Sequence, residues 1–271
     1  MVSKSGYYQY LQAKVPGAIA QQVEGEIVKV FEQHRRRYGV RRVCKELKER
    51  GLKVGKERCG KVMQKHGLKA IQPRSFIPRT TQSRHPYAIS PNLLLDRPAP
   101  QGPSQIWVGD ITYIPLSDGK WAYLSVWMDL YSRKVTGWHL DHHMKEELVI
   151  ASFEKALSTN HVPKGMIIHS DRGGQYAGGA FRKRLEKKKI DQSMSRSDNP
   201  YDNAFMESYF SRLKAELLQD GAFENIEDAH TEIFEYIEMY YNTQRKHSAL
   251  SYKSPMEYDC LLYTSPSPRD S

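Results

Sequence analysis

The sequence predicts an α/β protein: a mixed five-stranded sheet with helices on both faces, preceded by a small all-α unit. Three observations carry this. Between residues 105 and 140, three strand-like apolar runs follow one another with only tight turns between them. From 145 to 241, helical and strand-like patterns alternate. Before residue 70 only helical spacing appears, in a stretch dense in Lys and Arg.

That basicity is local. The 271 residues carry a net charge of +10, but residues 1–85 hold 20 Lys and Arg against 6 Asp and Glu, and the remainder holds 21 against 25. A basic head on a mildly acidic body is either a solvated helical face or a surface that meets phosphate. No run is long and apolar enough to cross a bilayer, and Met1 to Ala20 is too polar for a secretory signal, so a cytoplasmic location is expected. Cys44, Cys59 and Cys260 form no close metal-ligand pair and no disulfide framework.

In the head, Val23, Ile27, Val28 and Phe31 recur at helical spacing between Gln21 and Arg37. A second helix fits Val40 to Arg50, with Val43, Cys44 and Leu47 on one face and Gly51 as its stop. Lys53 to His66 gives a third. Two short helices joined by a Gly-containing turn suggest a helix-turn-helix over residues 1–70. Its candidate DNA-binding residues are Arg41, Arg42, Lys45, Lys56 and Arg58. Cys44 and Cys59 read as plain core residues. Residues 71–104 hold prolines at 73, 78, 86, 91, 98, 100 and 103, which break regular structure, and read as an extended linker.

The core spans 105–259. Ile106 to Leu116 is the first strand and carries Asp110; Ser117-Asp118-Gly119-Lys120 is a hairpin turn. Trp121 to Leu130 and Lys134 to Leu140 are the next strands. A helix over Lys145 to Asn160 leads to a strand over Gly165 to His169, a connection long enough for a parallel crossover. A basic helix (Ala180 to Lys188) and a fifth, short strand (Ile190 to Ser195) follow. Asn203 to Gln219 is a helix bearing Glu207, and Glu227 to Tyr241 an amphipathic helix. Residues 260–271 bear no relation to what precedes them. They resemble the translation of a synthetic DNA adapter and are expected to be non-native.

Three carboxylates stand out. Asp110 lies on a strand. Asp171 follows the apolar run Met166 to Ile168 and precedes Gly173-Gly174, as at a strand end. Glu207 lies on a helix, with 35 residues between it and Asp171. Two strand-borne aspartates and a helix-borne glutamate can converge to hold a pair of hard cations, which favour oxygen ligands and open positions. Two such ions activate a water or hydroxyl and stabilise the leaving oxygen in phosphodiester chemistry. Other acids have plainer uses: Asp118 in a turn, Asp129 at a strand end, Asp202 as a helix cap, Asp198 in a loop. Lys214, seven residues after Glu207, shares its helical face and either points at bound phosphate or is a surface lysine on an exposed helix. Gly173 and Gly174 let backbone pass close to a ligand, or simply make the turn. His169 precedes the metal Asp and could orient it. His139, His142 and His143 lie at a strand end without a nearby fourth ligand and read as a solvated loop. Asn242, Arg245 and His247 either close the domain or touch DNA.

Four pieces together resemble the catalytic second-frame subunit of bacterial insertion-sequence transposases, whose core is similar to the retroviral integrase catalytic domain. They are Trp107-Val-Gly-Asp-Ile-Thr-Tyr113, His169-Ser-Asp-Arg-Gly-Gly-Gln-Tyr176, Ser197-Asp-Asn-Pro-Tyr-Asp-Asn-Ala-Phe-Met-Glu-Ser208 and Tyr241-Asn-Thr-Gln-Arg-Lys-His247. The resemblance implies a ribonuclease-H-like fold and a DDE-type polynucleotidyl transferase. Asp110, Asp171 and Glu207 would be its catalytic metal ligands, holding two Mg²⁺ or Mn²⁺ ions. It also implies that Lys214 contacts the element's terminal DNA. End nicking would free a 3′-hydroxyl, which attacks a second phosphodiester directly. The implied partners are element ends and target DNA, further copies of the chain, and a first-frame subunit supplied by frameshifting; the implied place is the bacterial nucleoid. Two alternatives share part of the pattern: a ribonuclease-H-type nuclease, separated by strand joining, and a DNA-binding regulator, separated by metal-dependent chemistry.

Overall fold

The computed structural model describes residues 18–73, 86–95, 97–196, 203–219 and 221–264. The chain divides into two compact units, one ending at Gln72 and one beginning at Pro73.

The first unit holds three helices: α1 (Ala18–Gln33), α2 (Val40–Glu49) and α3 (Lys56–Lys65). Ile27, Val30 and Phe31 of α1 meet Val43 and Leu47 of α2 and Cys59, Val62 and Met63 of α3, all buried. Gly51, at φ +84°, turns the chain between α2 and α3, a backbone state that glycine adopts without strain. Cys59 belongs to this core; burial first, and then neighbouring Cys44, push its thiol up to about 12, so it stays a protonated apolar group.

In the second unit, β1 (Ile106–Pro115), β2 (Trp121–Asp129) and β3 (Val135–Asp141) form an antiparallel meander, and β4 (Ile167–Ser170) and β5 (Asp191–Met194) add to it in parallel. The order across the sheet is β3-β2-β1-β4-β5. Both parallel pairs need crossovers, supplied by α4 (Glu146–Thr159) before β4 and by α6 (Gly179–Lys188) before β5. The expected mixed five-stranded sheet is therefore present.

Strand alternation builds two cores. One face presents Trp107 and Trp127 to Val149 and Phe153 of α4 and Phe181 of α6. The other presents Val108, Ile114, Leu124 and Val126 to Met206, Phe210 and Leu213 of α7 (Ala204–Leu218), and to α8 (Ile226–Phe234). Gly137 lets α4 lie on β3: a Cβ there would come within 2.5 Å of the Ser152 carbonyl.

Four features differ from the expected elements. Gly174–Ala177 forms one extra helical turn, α5. The amphipathic helix read as continuous to Tyr241 is α-helical only to Phe234, and Glu235–Tyr241 is a π-helix. Part of the proline-rich stretch lies along β5, where Pro91 accepts from the Met194 N–H and Leu93 N–H donates to Ser193. A final helix, α9 (Pro255–Thr264), runs across the boundary expected at 259, and Asp259 pairs with Lys134 at 3.3 Å. Residues 265–271 of the expected adapter tail lie outside the described residues.

Candidate active site

Asp110 sits at the middle of β1, opposite Val126 of β2. Period-two alternation places it with Val108 on the face that α7 covers. β4 runs parallel to β1 with Val108 opposite His169, so the same register carried two residues further sets Asp171 beside Asp110. Asp171 Oδ1 accepts the Gly173 N–H at 2.9 Å, which curls the loop tightly after β4. A Cβ on Gly173 would meet Gln175 Oε1 at 2.9 Å and Asp171 Oδ1 at 3.0 Å, so a larger residue there would push on both side chains. Gly174 then opens α5. Glu207 lies in the first turn of α7 and is exposed.

These three acids share one electrostatic neighbourhood. The Asp110 carboxyl is held well above its ordinary value, first by burial, then by the charge of Asp171, with a smaller push from Glu207. The Ile111 N–H at 2.8 Å and the Asn203 side chain oppose the rise. Asn203 stands at the N-cap of α7 without capping it, since its side chain is turned to Asp110. Asp202, expected as the cap, and Asp198 lie outside the described residues.

Among the described residues, no three His, Cys, Asp or Glu side chains already stand at the spacing of a closed metal shell. The donor set itself is all oxygen and carries up to three negative charges around one half-buried point. Hard divalent cations suit that chemistry, and a cation there would relieve the crowding that raises Asp110. His139 lies within β3 and is half-buried, which lowers its pKa, whereas His142 and His143 are exposed just beyond the strand.

Lys214 is half-buried two turns along α7 from Glu207. Burial lowers the pKa of its ammonium, and the Asp110 charge partly restores it. It therefore stands within electrostatic reach of Asp110. His169 is fully buried, with Nδ1 at 2.8 Å from Ser193 Oγ and Nε2 at 3.1 Å from Ser195 Oγ. Ser195 N–H donates to Ser170 O, and Arg172 Nε donates to Ser195 O at 2.7 Å. The imidazole thus ties β4 to the end of β5, and Ser195 in turn holds the two residues flanking Asp171.

Sequence reasoning missed Tyr176. Its ring is buried edge-on to Trp127, with centroids 5.7 Å apart. Its phenol is pushed well up, mainly by burial and then by Asp110 and Asp171, so a neutral hydroxyl backs the acids. The only sequence signal was an aromatic two residues after the glycine pair. Of the residues left open, Asn242 closes the domain: its carboxamide accepts from Val135 N–H at 2.9 Å and donates to Val135 O at 3.0 Å.

In the first unit, α2 carries exposed Arg41 and half-buried Arg42 and Lys45; Arg42 stacks over the Tyr38 ring at 5.7 Å. The first turn of α3 carries exposed Lys56 and Arg58.

Residues 100–200 and 188–255 match the family model described as Integrase core domain, and residues 18–76 match the HTH-like domain. The sheet and its helices therefore define a protein of the integrase-core class, a DDE-type polynucleotidyl transferase. A transposase for insertion sequence element IS904 from Lactococcus lactis is 41% identical over 88% of this chain and 96% of its own. The IS600 31 kDa protein of Shigella sonnei is 38% identical over 95% and 94%, and the InsF transposase of IS3A from Escherichia coli 33% identical over 95% and 90%. The chain belongs to the insertion-sequence transposases, and its function is that of a DNA transposase. Among solved structures, the HTLV-2 integrase catalytic core domain in complex with magnesium aligns over 59% of this chain and 98% of its own, at 19% identity and a TM-score of 0.46. Among the described residues no helix is long and apolar enough to cross a membrane.

Proposed function

We propose that Asp110, Asp171 and Glu207 hold a pair of divalent ions, Mg²⁺ or Mn²⁺, with which the chain nicks DNA at insertion-sequence ends and joins the freed 3′-hydroxyl to a second phosphodiester. The observation that carries this is the charge crowding of Asp171 and Glu207 on Asp110. When bound, the ions lower the pKa of the attacking water and stabilise the charge that grows on the phosphoryl oxygens. Asp110 and Asp171 offer strand-fixed oxygens, and Glu207 completes the set from α7. Lys214 supplies a cation beside them for a bridging or terminal phosphate. Tyr176 and the packed β1–β4 floor keep water from the rear of the site. The tight backbone at Gly173 and Gly174 leaves room for DNA to approach Asp171. The hydroxyl attacks phosphorus directly, so no protein nucleophile is required.

Arg41, Arg42, Lys45, Lys56 and Arg58 bind the DNA ends through phosphate. Two ends must be held together, so copies of the chain act as a multimer, and a first-frame subunit joins them. The protein acts at the bacterial nucleoid. The test is nicking of labelled end DNA with Mg²⁺ by Asp110→Asn, Asp171→Asn and Glu207→Gln proteins. Each is expected to lose cleavage while keeping end binding. Cleavage by the Glu207→Gln protein at the parent rate would overturn the assignment.

A further inference from the structure

We infer that Arg245 is a positioning residue: by gripping Glu216 it fixes the axial register of α7 and so the place of Glu207 and Lys214 at Asp110. The inference rests on the reading of Glu207 as a metal ligand. On α7 the core-facing stripe runs Met206, Tyr209, Phe210, Leu213 and then Glu216. An acid at the end of an apolar stripe is costly to bury unless a partner offsets its lost hydration. Glu216 is 3% exposed and Arg245 2%. Arg245 Nη2 donates to Glu216 Oε1 at 2.6 Å and Nε to Oε2 at 3.1 Å, while Tyr236 OH donates to Oε2 at 2.9 Å.

The geometry says what this pair is for. Apolar side chains tolerate small sliding of one helix over another, whereas a two-pronged guanidinium–carboxylate fork has one arrangement. The fork also brings Tyr236, inside the π-helix, and Arg245, four residues beyond its end, onto the same carboxylate. Glu216 lies nine residues beyond Glu207, about 14 Å along a rigid rod. A shift at the fork is therefore passed undiminished to Glu207. A buried ion pair adds little net stability over an apolar pair of the same size, so the role assigned to this one is register and not stability.

The deciding experiment replaces the fork without leaving an orphaned charge: Glu216→Met with Arg245→Met. The double variant is expected to fold cooperatively and to melt a few degrees below the parent, because the Tyr236 hydroxyl loses its acceptor. It is expected to bind Mn²⁺ about tenfold or more weakly, read from the free-ion EPR signal without DNA. Its nicking rate at saturating end DNA should fall about 100-fold, the size of loss a misplacement near 1 Å produces, with half-saturation unchanged. Parent-like Mn²⁺ binding and nicking in this variant overturn the inference. Should the double variant fail to fold, Arg245→Lys keeps the charge and loses the fork. It is then expected to fold and nick slowly, and parent-like nicking by it overturns the inference equally. Glu207→Gln serves as the control. If that change leaves nicking intact, the proposed function fails; if it abolishes nicking while the fork variants are parent-like, only the positioning role fails.

Discussion

Lys214 and Asp110 act on one another across the gap between α7 and β1: burial lowers the pKa of the ammonium and the carboxylate raises it back. A lysine held this way is charged beside the acids yet already partly stripped of water. Replacing it with glutamine removes that charge at little change in length. Loss of about 1.4 kcal/mol of charge stabilisation slows nicking about tenfold. The expected result for Lys214→Gln is at least that slowing with an unchanged melting temperature. A nicking rate equal to the parent's would show that the lysine serves only the surface of the helix.

Asp110 links acidity to metal. Its folded pKa is raised above the ordinary 3.8, so the folded protein holds a proton that the unfolded chain gives up. The resulting stability is full below the ordinary carboxylate value and is lost as pH rises through the folded value. In chelator, melting temperature should therefore fall across that window, and Asp110→Asn should flatten the fall. One kcal/mol corresponds to about 2–4 °C in a domain of this size. Added Mn²⁺ should restore the parent at neutral pH and leave Asp110→Asn almost unmoved. A parent and variant with superimposable pH curves in chelator would contradict this.

Gly109 lies directly before Asp110, and a Cβ there would stand 2.4 Å from the Trp127 ring. The ring is itself wedged by Phe153, Tyr176 and Phe181, so it has nowhere to yield. Gly109→Ala is expected to cost about 1–3 kcal/mol, the usual range for overpacking. Denaturant titration followed by Trp fluorescence checks it. A midpoint equal to the parent's would mean that the ring gives way freely.

The basic first unit is expected to bind through phosphates. Arg58→Ala and Lys56→Ala should each reduce the slope of log K against log salt by about one. The loss should be the same on end DNA and on unrelated duplex, because neither change touches base reading. Competition binding at several salt concentrations gives the slopes. A selective loss on end DNA would instead place these side chains at base edges.

Asp110 on a strand and Asp171 at a strand end were legible because strand patterns are local, but their joint candidacy came from the four family-like pieces and not from the pattern. Glu207 and Lys214 were equally visible, since seven residues make two helical turns. What stayed hidden depends on pairing across long stretches of chain. Nothing near Glu216 shows that Arg245 will reach it. The apolar spacing from Glu227 to Tyr241 reads as one α-helix, because the π-helical turn comes from how Tyr236, Tyr241 and Asn242 dock on distant residues. The prolines from 86 to 103 signal a break in regular structure, yet not that Pro91 and Leu93 would find partners on β5. Asn203 looked like a neighbour of the cap and turned out to serve Asp110.

Asn242 on Val135 has a counterpart across the sheet. Asn160 donates to Thr136 O beside it on β3, and on the far side Pro91 O takes the Met194 N–H of β5 while the Leu93 N–H goes to the Ser193 hydroxyl. Both outermost strands thus offer fewer vacant main-chain groups to a passing polypeptide. For the multimer proposed on DNA ends, that matters. At the high local concentration such an assembly would create, occupied strand edges resist edge-to-edge pairing into fibrous aggregates.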